Sequence, residues 1–296
     1  MRNEFRMNGC LKGAAQAVAV PINVVAKAIN LVVCGGEPFL TQSQCAGFPG
    51  ALALGHLLFS PKLISNMSAS LSSSLAPRTA ARLAGASLLL MAVLAGIAFG
   101  LVFSTVYIPG DAAATAQAVA DHVSLFRLGI MAWLLTLLLD VVVAWALYLY
   151  FRPAHAAGSL LTGWLRLIYS AMLGIAIAFQ AAVLCWLGQP EAATMISGLL
   201  EAFQQSWSLG LILFGGHLCG LAWLVRRSPG MPVWLWVLLY IAGGSYVLVH
   251  AGHLLLPQLE AQISLLESVL ALPMTVGELG LAVWLLVKGG KGQTPS

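Results

Sequence analysis

The chain has 296 residues, of which 60% are hydrophobic and only 8% charged, far from the roughly 25% charged residues of a soluble globular domain. So little charge does not cover the surface that a soluble fold of this length leaves in water, which leaves a polytopic membrane protein as the class. The net charge of +4, with no basic run interleaved with aromatics, argues against nucleic acid as a partner, and five cysteines without CxxC spacing support neither a disulfide framework nor a zinc ribbon.

Residues 1–66 differ in character from the rest. Their first apolar stretch is interrupted by Lys12, Pro21 and Lys27, and the following GFPGALALGHLLFSPKLIS is too short and broken for a span. The compact apolar region and small-residue cleavage site of a secretory signal are missing. NMSASLSSSLAPRTAARL, by contrast, reads as a fresh start at Met67. The expectation is an over-extended gene start over 1–66, the rival being an extension that lies on the membrane. Residues 67–82 then form a short cytoplasmic tail.

Six apolar segments follow, each long enough to cross about 30 Å of hydrocarbon as a helix. They fall at 83–107, 128–151, 167–188, 207–225, 232–256 and 268–287, within a transmembrane domain over 83–288, and 289–296 form a C-terminal cytoplasmic tail. The joints carry breaker signals: YIPGD, FRPAH, GQPE, RRSPGMP and LPQ. In the loop over 110–127, Asp111 is placed to cap a helix. Residues 191–207 have apolar positions at helical spacing, consistent with a short helix in the membrane interface.

If the spans alternate, Arg78, Arg82, Arg152, Arg166, Arg226, Arg227, Lys288 and Lys291 fall on one side. Arg127 and most acidic residues fall on the other. Basic residues mark the cytoplasmic face. The expected fold is therefore all-α, an integral membrane bundle of six transmembrane helices with both termini cytoplasmic.

Several stretches resemble one family of bacterial polytopic membrane proteins, the domain-of-unknown-function family 4386. They are PRTAARLAG (77–85), PGDAAATA (109–116), SLFRLG (124–129), LLLDVVVAWALY (137–148), SPGMPVWLWVLLYIAGGSY (228–246) and GELGLAVWLLVKGGK (277–291). The resemblance covers 77–291 in order and implies a multi-pass protein of the bacterial cytoplasmic membrane, without implying an activity. It also implies that Arg127, Asp140 and Glu278 occupy recurrent positions. The chain departs from the family in its third helix, where an acidic residue tends to follow the arginine; here the run is RLIYSAM (166–172).

Charges inside the spans are the informative residues, because a charged side chain at the bilayer centre costs at least about 2.5–3.5 kcal/mol. At about 1.5 Å of rise per residue, Asp140 lies roughly 18 Å, Glu278 roughly 15 Å and His217 roughly 14 Å from the basic side. Asp140, His217 and Glu278 are thus expected to form one midplane cluster in which Asp140 faces His217 or Glu278. Thr136 and Thr275 are the local alternatives that would hold a protonated carboxyl as structural glue. Gly216 and Gly220, like Gly96 and Gly100, have the GxxxG spacing that admits a neighbouring backbone.

His250 and His253 lie one turn apart near the outer end of the fifth span, a spacing suited to two metal ligands, with an interfacial pair as the blander reading. Arg127 is expected to snorkel outward, the alternative being contact with an anion or lipid headgroup. The nine tryptophans mostly sit near segment ends, as interfacial anchors do.

No GxSxG, Walker, GxGxxG, HExxH or CxxCH motif is present. The motifs therefore call for no cofactor, and a metal or haem at the histidines remains an open alternative. The chain reads as a membrane component responsive to a proton or a small solute through its midplane cluster, with the lipid bilayer as its surroundings. The rival is a structural or regulatory membrane protein, with an intramembrane metal-dependent enzyme behind both.

Overall fold

The computed structural model describes residues 76–189 and 191–290; the expectations placed on 1–66 and on the start of the tail at Met67 lie outside them. All the regular structure among the described residues is helical. Helix α1 runs Pro77–Val106, α2 Ala112–Asp121, α3 Val123–Phe151, α4 Ala156–Trp186, α5 Ala192–Arg227, α6 Val233–Leu255 and α7 Pro257–Val287. All but α2 are long and apolar enough to cross a membrane, which gives six spans. The protein is a multi-pass membrane protein.

The breaker residues act where the sequence puts them. Gly110 and Gly230 sit at φ +78° in the loops before α2 and α6, a left-handed conformation that glycine adopts without a Cβ clash. Asp111 caps α2, its Oδ1 accepting from the Ala114 amide at 2.9 Å.

Three helix starts lie well ahead of the sequence expectation, among them the sixth span, which begins at Pro257 instead of Ser268. The third span begins at Ala156 instead of Leu167, its first turn capped by His155 Nδ1, which accepts from the Gly158 amide at 2.9 Å. The fourth begins at Ala192 instead of Trp207, so 191–207 is no separate interfacial helix. Its apolar face (Ile196, Leu200, Phe203) is buried in the core of the bundle, and nothing breaks the helix before Arg227.

Successive spans pack side by side, and α7 returns to α1, closing a ring in chain order. Between lipid-facing helices there is no hydrophobic drive, so close approach and polar contacts hold them. At the basic end the ring is shut by α1 and α7. Arg78 Nη1 donates to the Gly289 carbonyl at 2.6 Å, and a Cβ placed on Gly85 would stand 2.6 Å from the Ala282 carbonyl oxygen. The closest approach of α5 and α6 is at Gly215, where a Cβ would meet the Gly243 carbonyl at 2.6 Å. Of the expected GxxxG pair, Gly216 meets only a leucine methyl at 3.9 Å, while a Cβ on Gly220 would stand 2.7 Å from Thr162 Oγ1 of α4. Around Gly96 and Gly100 nothing lies within 4 Å.

The apolar interior forms two clusters. One, at the basic end, joins Ala80–Leu88, Val143–Phe151, Leu211–Val225 and Leu281–Leu285; the other joins Ala98–Val106, Phe126–Leu137, Leu173–Val183 and Ile196–Phe203. Asp140 lies between the two along α3, and Arg166 lies one turn to the basic side of Tyr169, the residue that α4 gives to the first cluster. A polar layer thus divides the core across the middle of the bundle. The second cluster contains no residue of α6 or α7, so the outer halves of these helices stand apart from it.

Candidate functional site

All six spans line one cavity of about 250 Å³ at the level of the polar layer. Its charged groups are Asp140 from α3, Arg166 from α4 and Glu278 from α7, and its aromatic walls come mainly from α3, α4 and α5. Each charged group is placed by the spacing of its helix. Asp140 falls on the buried face of α3 with Thr136 and Leu137, and Arg166 on the buried face of α4 with Leu167, Tyr169 and Ser170.

Arg166 organises the site. Its Nη2 lies 2.6 Å from Asp140 Oδ1, an ion pair whose side chains are 2% and 0% exposed. Its Nη1 lies 3.2 Å from His217 Nε2, and its Cζ stands 5.3 Å from the Phe214 ring centroid. A guanidinium can only donate, so His217 Nε2 is the acceptor. The ring's proton is therefore on Nδ1, 2.8 Å from the Thr162 carbonyl oxygen. His217 is a neutral imidazole in this arrangement. It stands behind Arg166 and does not line the cavity. The pair needs such support, because two buried ions repay their desolvation only when the geometry is good and the remaining polar atoms are satisfied.

Here they are not all satisfied. Asp140 Oδ1 meets Arg166 in the ion pair, and Asp140 Oδ2 has no hydrogen-bond partner among the described residues. Arg166 Nε and the indole nitrogen of Trp133 are also buried without a partner among the described residues, while the Trp207 indole faces the Tyr169 hydroxyl; Asp140, Arg166 and Trp133 all line the cavity. More than nine buried polar groups in ten are paired in folded proteins, so three residues with unpaired polar atoms around one cavity mark a place for a polar occupant or water. On the other wall, Tyr246 donates to Glu278 Oε1 at 2.8 Å, and the second Glu278 oxygen has no partner among the described residues.

The sequence expectation is altered here. Asp140 faces Arg166, not His217 or Glu278. Arg166 was counted among the basic-side residues because arginines usually mark the ends of spans. With α4 starting at Ala156, Arg166 lies ten residues inside it, roughly 15 Å deep. Asp140 and Glu278 do share the cavity, and His217 joins them only through Arg166. Thr136 and Thr275 bond back to the carbonyls of Ala132 and Ala271 on their own helices and touch neither carboxylate. Trp133 and Trp207, expected as interfacial anchors, line the cavity instead. The signal that would have found Arg166 was the cost of Asp140 itself, which calls for a cation at matching depth on a neighbouring helix.

The remaining candidates lie elsewhere. Arg127 is exposed at the start of α3 and makes no ion pair among the described residues. His250 Nδ1 is 2.9 Å from Ser208 Oγ. His253 Nδ1 lies 3.0 Å from Glu260 and its Nε2 3.1 Å from Glu267, which ties the end of α6 to the start of α7. With both ring nitrogens facing carboxylates, a protonated His253 can donate to both. No group of three metal-ligating side chains occurs among the described residues.

Comparison with known proteins agrees with the sequence resemblance. No solved structure matches the chain. A protein described as uncharacterized from Archaeoglobus fulgidus is 32% identical over 157 residues, which is 53% of this chain and 81% of that relative. The model of the family "Domain of unknown function (DUF4386)" matches residues 83–289, and the chain belongs to that family.

Proposed function

We propose that the protein is a membrane component responsive to a proton or a small polar solute, and that the cavity between Asp140, Arg166 and Glu278 is its sensing site. The observation that carries this reading is the imbalance of the cavity: two carboxylates face one guanidinium, with buried polar atoms left unpaired. Glue would be expected to close on itself, as the His217–Arg166 contact does. Asp140 Oδ2 and the free oxygen of Glu278 are instead left for something else. Gaining or losing one proton, or one small solute, changes the charge of the polar layer by one unit and alters what Arg166 must balance.

The basic residues support an orientation with both termini cytoplasmic. Arg78, Arg82, Arg152, Arg226, Arg227 and Lys288 lie at one end of the ring, and Arg226 and Arg227 rest on Trp236 and Trp223 with their charges 5.4 and 4.1 Å from the ring centroids. Family membership supports the cytoplasmic membrane of a prokaryote as the location.

Infrared difference spectroscopy of the purified protein tests the proposal, comparing the native chain with Asp140→Asn and Glu278→Gln. The expected outcome is a carboxyl band that titrates between about pH 5 and 8 and disappears in one of the two variants. A spectrum without any titrating intramembrane carboxyl, together with variants that only melt earlier, would reduce the layer to structural glue.

A further inference from the structure

The cavity is not sealed evenly. On the α3–α5 side, Asp140, Thr136, Trp133, Arg166 and Phe214 are all buried. On the opposite side, Ala92 of α1 and Thr275 of α7 line the same cavity and are exposed, and Glu278 and Leu279 are half-buried. Toward the basic end α1 and α7 are locked together at Gly85 and Arg78. Beyond the cavity they part. The outer half of α1 turns its aromatic face to α5, with Phe99 4.9 Å from the Trp207 ring centroid and Phe103 5.4 Å from Phe203. Among the described residues the outer half of α7 is held to α6, through Ile263 against Gly252 and through His253 with Glu260 and Glu267. Leu265, Val269 and Leu272 on that half are 65–71% exposed. The cavity therefore opens sideways, between the first and last spans, onto the hydrocarbon.

A lateral mouth selects its occupant. A solute that arrives through hydrocarbon carries an apolar part, and the polar layer sets the chemistry of its head. With Asp140 and Glu278 ionised beside one arginine, the cavity bears one uncompensated negative charge. An anionic head would add to it, a neutral head would leave it, and a monocation would cancel it. The rings of Trp133, Tyr169, Trp207 and Tyr246 line the cavity and suit the same head, since an ammonium over an aromatic face is attracted by the ring quadrupole, more strongly when desolvated.

We infer that the cavity is a lateral-access binding site for a membrane-dissolved organic cation, an alkylammonium amphiphile whose head lies against Glu278 and Asp140 and whose chain leaves between Ala92 and Thr275. The inference rests on the reading of this cavity as a solute- or proton-responsive site. Glu278 is the recruiting group, because Tyr246 engages only one of its oxygens and it stands nearest the mouth. Asp140 has one oxygen, Oδ1, already committed to Arg166. Ala92 and Thr275 set the width of the opening.

The test uses the purified full chain in micelles of an uncharged maltoside. Decylammonium, decyltrimethylammonium, tetramethylammonium, decanol and decanoate are titrated against the fluorescence of the cavity tryptophans, with Trp207→Phe used to assign the signal. Saturable binding of the two decyl cations is expected, with tetramethylammonium, decanol and decanoate at least about tenfold weaker, equivalent to 1.4 kcal/mol. Glu278→Gln should weaken the decyl cations by a similar factor, and Ala92→Leu should block them while leaving the carboxyl titration in place. Decanoate binding as tightly as decylammonium would overturn the inference, as would decylammonium binding unchanged by both variants. If no amphiphile binds but the intramembrane carboxyl still titrates, the ligand assignment fails and the proton-responsive reading stands. If neither occurs, both fail.

Discussion

The two walls of the cavity are built on different principles. The wall made by α3, α4 and α5 is dense: Asp140, Arg166 and His217 are 0–1% exposed, each in contact with the next, with apolar clusters above and below. The wall made by α1 and α7 is thin. These two spans are the least buried of the six, at 28% of their apolar windows, and they touch firmly only at the basic end. A buried ion is affordable in the first wall because three helices share its cost. In the second, a carboxylate stands beside an opening with a single phenol as its partner. The dense wall fixes a charge in place; the thin wall leaves one available.

The largest expected effect lies in the dense wall. Arg166→Met leaves the Asp140 charge buried without a cation, and breaking a buried pair by removing one partner costs about 3–5 kcal/mol. The double variant Arg166→Met with Asp140→Leu should recover most of that loss, because it removes both ions and fills the space with apolar atoms. Thermal unfolding in mild detergent measures both. If the single variant melts within a degree or two of the native chain, the dense wall is not what holds the polar layer together.

A smaller effect is expected where the thin wall is pinned. Gly85→Val places methyl groups against the Ala282 carbonyl and Leu286, and the forced separation should cost about 1–3 kcal/mol. Because α1 and α7 meet mainly there, the variant should also widen the opening and raise the reactivity of a cysteine introduced by Thr275→Cys toward a membrane-soluble maleimide. Unchanged labelling would mean that the lateral mouth is set elsewhere.

How far the sequence showed all this differs between the walls in the same way. The six spans were legible because hydropathy and breaker residues are local signals, and Asp140 and Glu278 stood out because charge in an apolar run is conspicuous. Arg166 was hidden by its position. Only ten residues of Ala, Gly, Ser, Leu, Thr and Trp precede it in α4, too mixed a stretch to look like membrane, so the arginine passed for the end of the span. The start of α5 was obscured similarly, since Glu201, Gln204 and Gln205 gave 191–207 the look of a surface helix, although Ile196, Leu200 and Phe203 are in the core. The unpaired indole of Trp133 left no trace in the sequence, because burial and partnering are settled only by the neighbouring helices.

The smallest expected effect is the most discriminating. Glu278→Gln retains the shape of the side chain and its acceptor oxygen for Tyr246, and removes only the charge. If Glu278 were part of the scaffold in the sense that Asp140 is, the loss would approach that of Arg166→Met. In a thin wall, beside an opening, its contribution should be that of an ordinary polar contact between membrane helices, about 0.6 kcal/mol. Thermal unfolding of Glu278→Gln should therefore differ little from the native chain, while the carboxyl titration and the binding of decylammonium change. A large loss of stability would make the two walls alike and remove the basis for treating Glu278 as the group left free to respond.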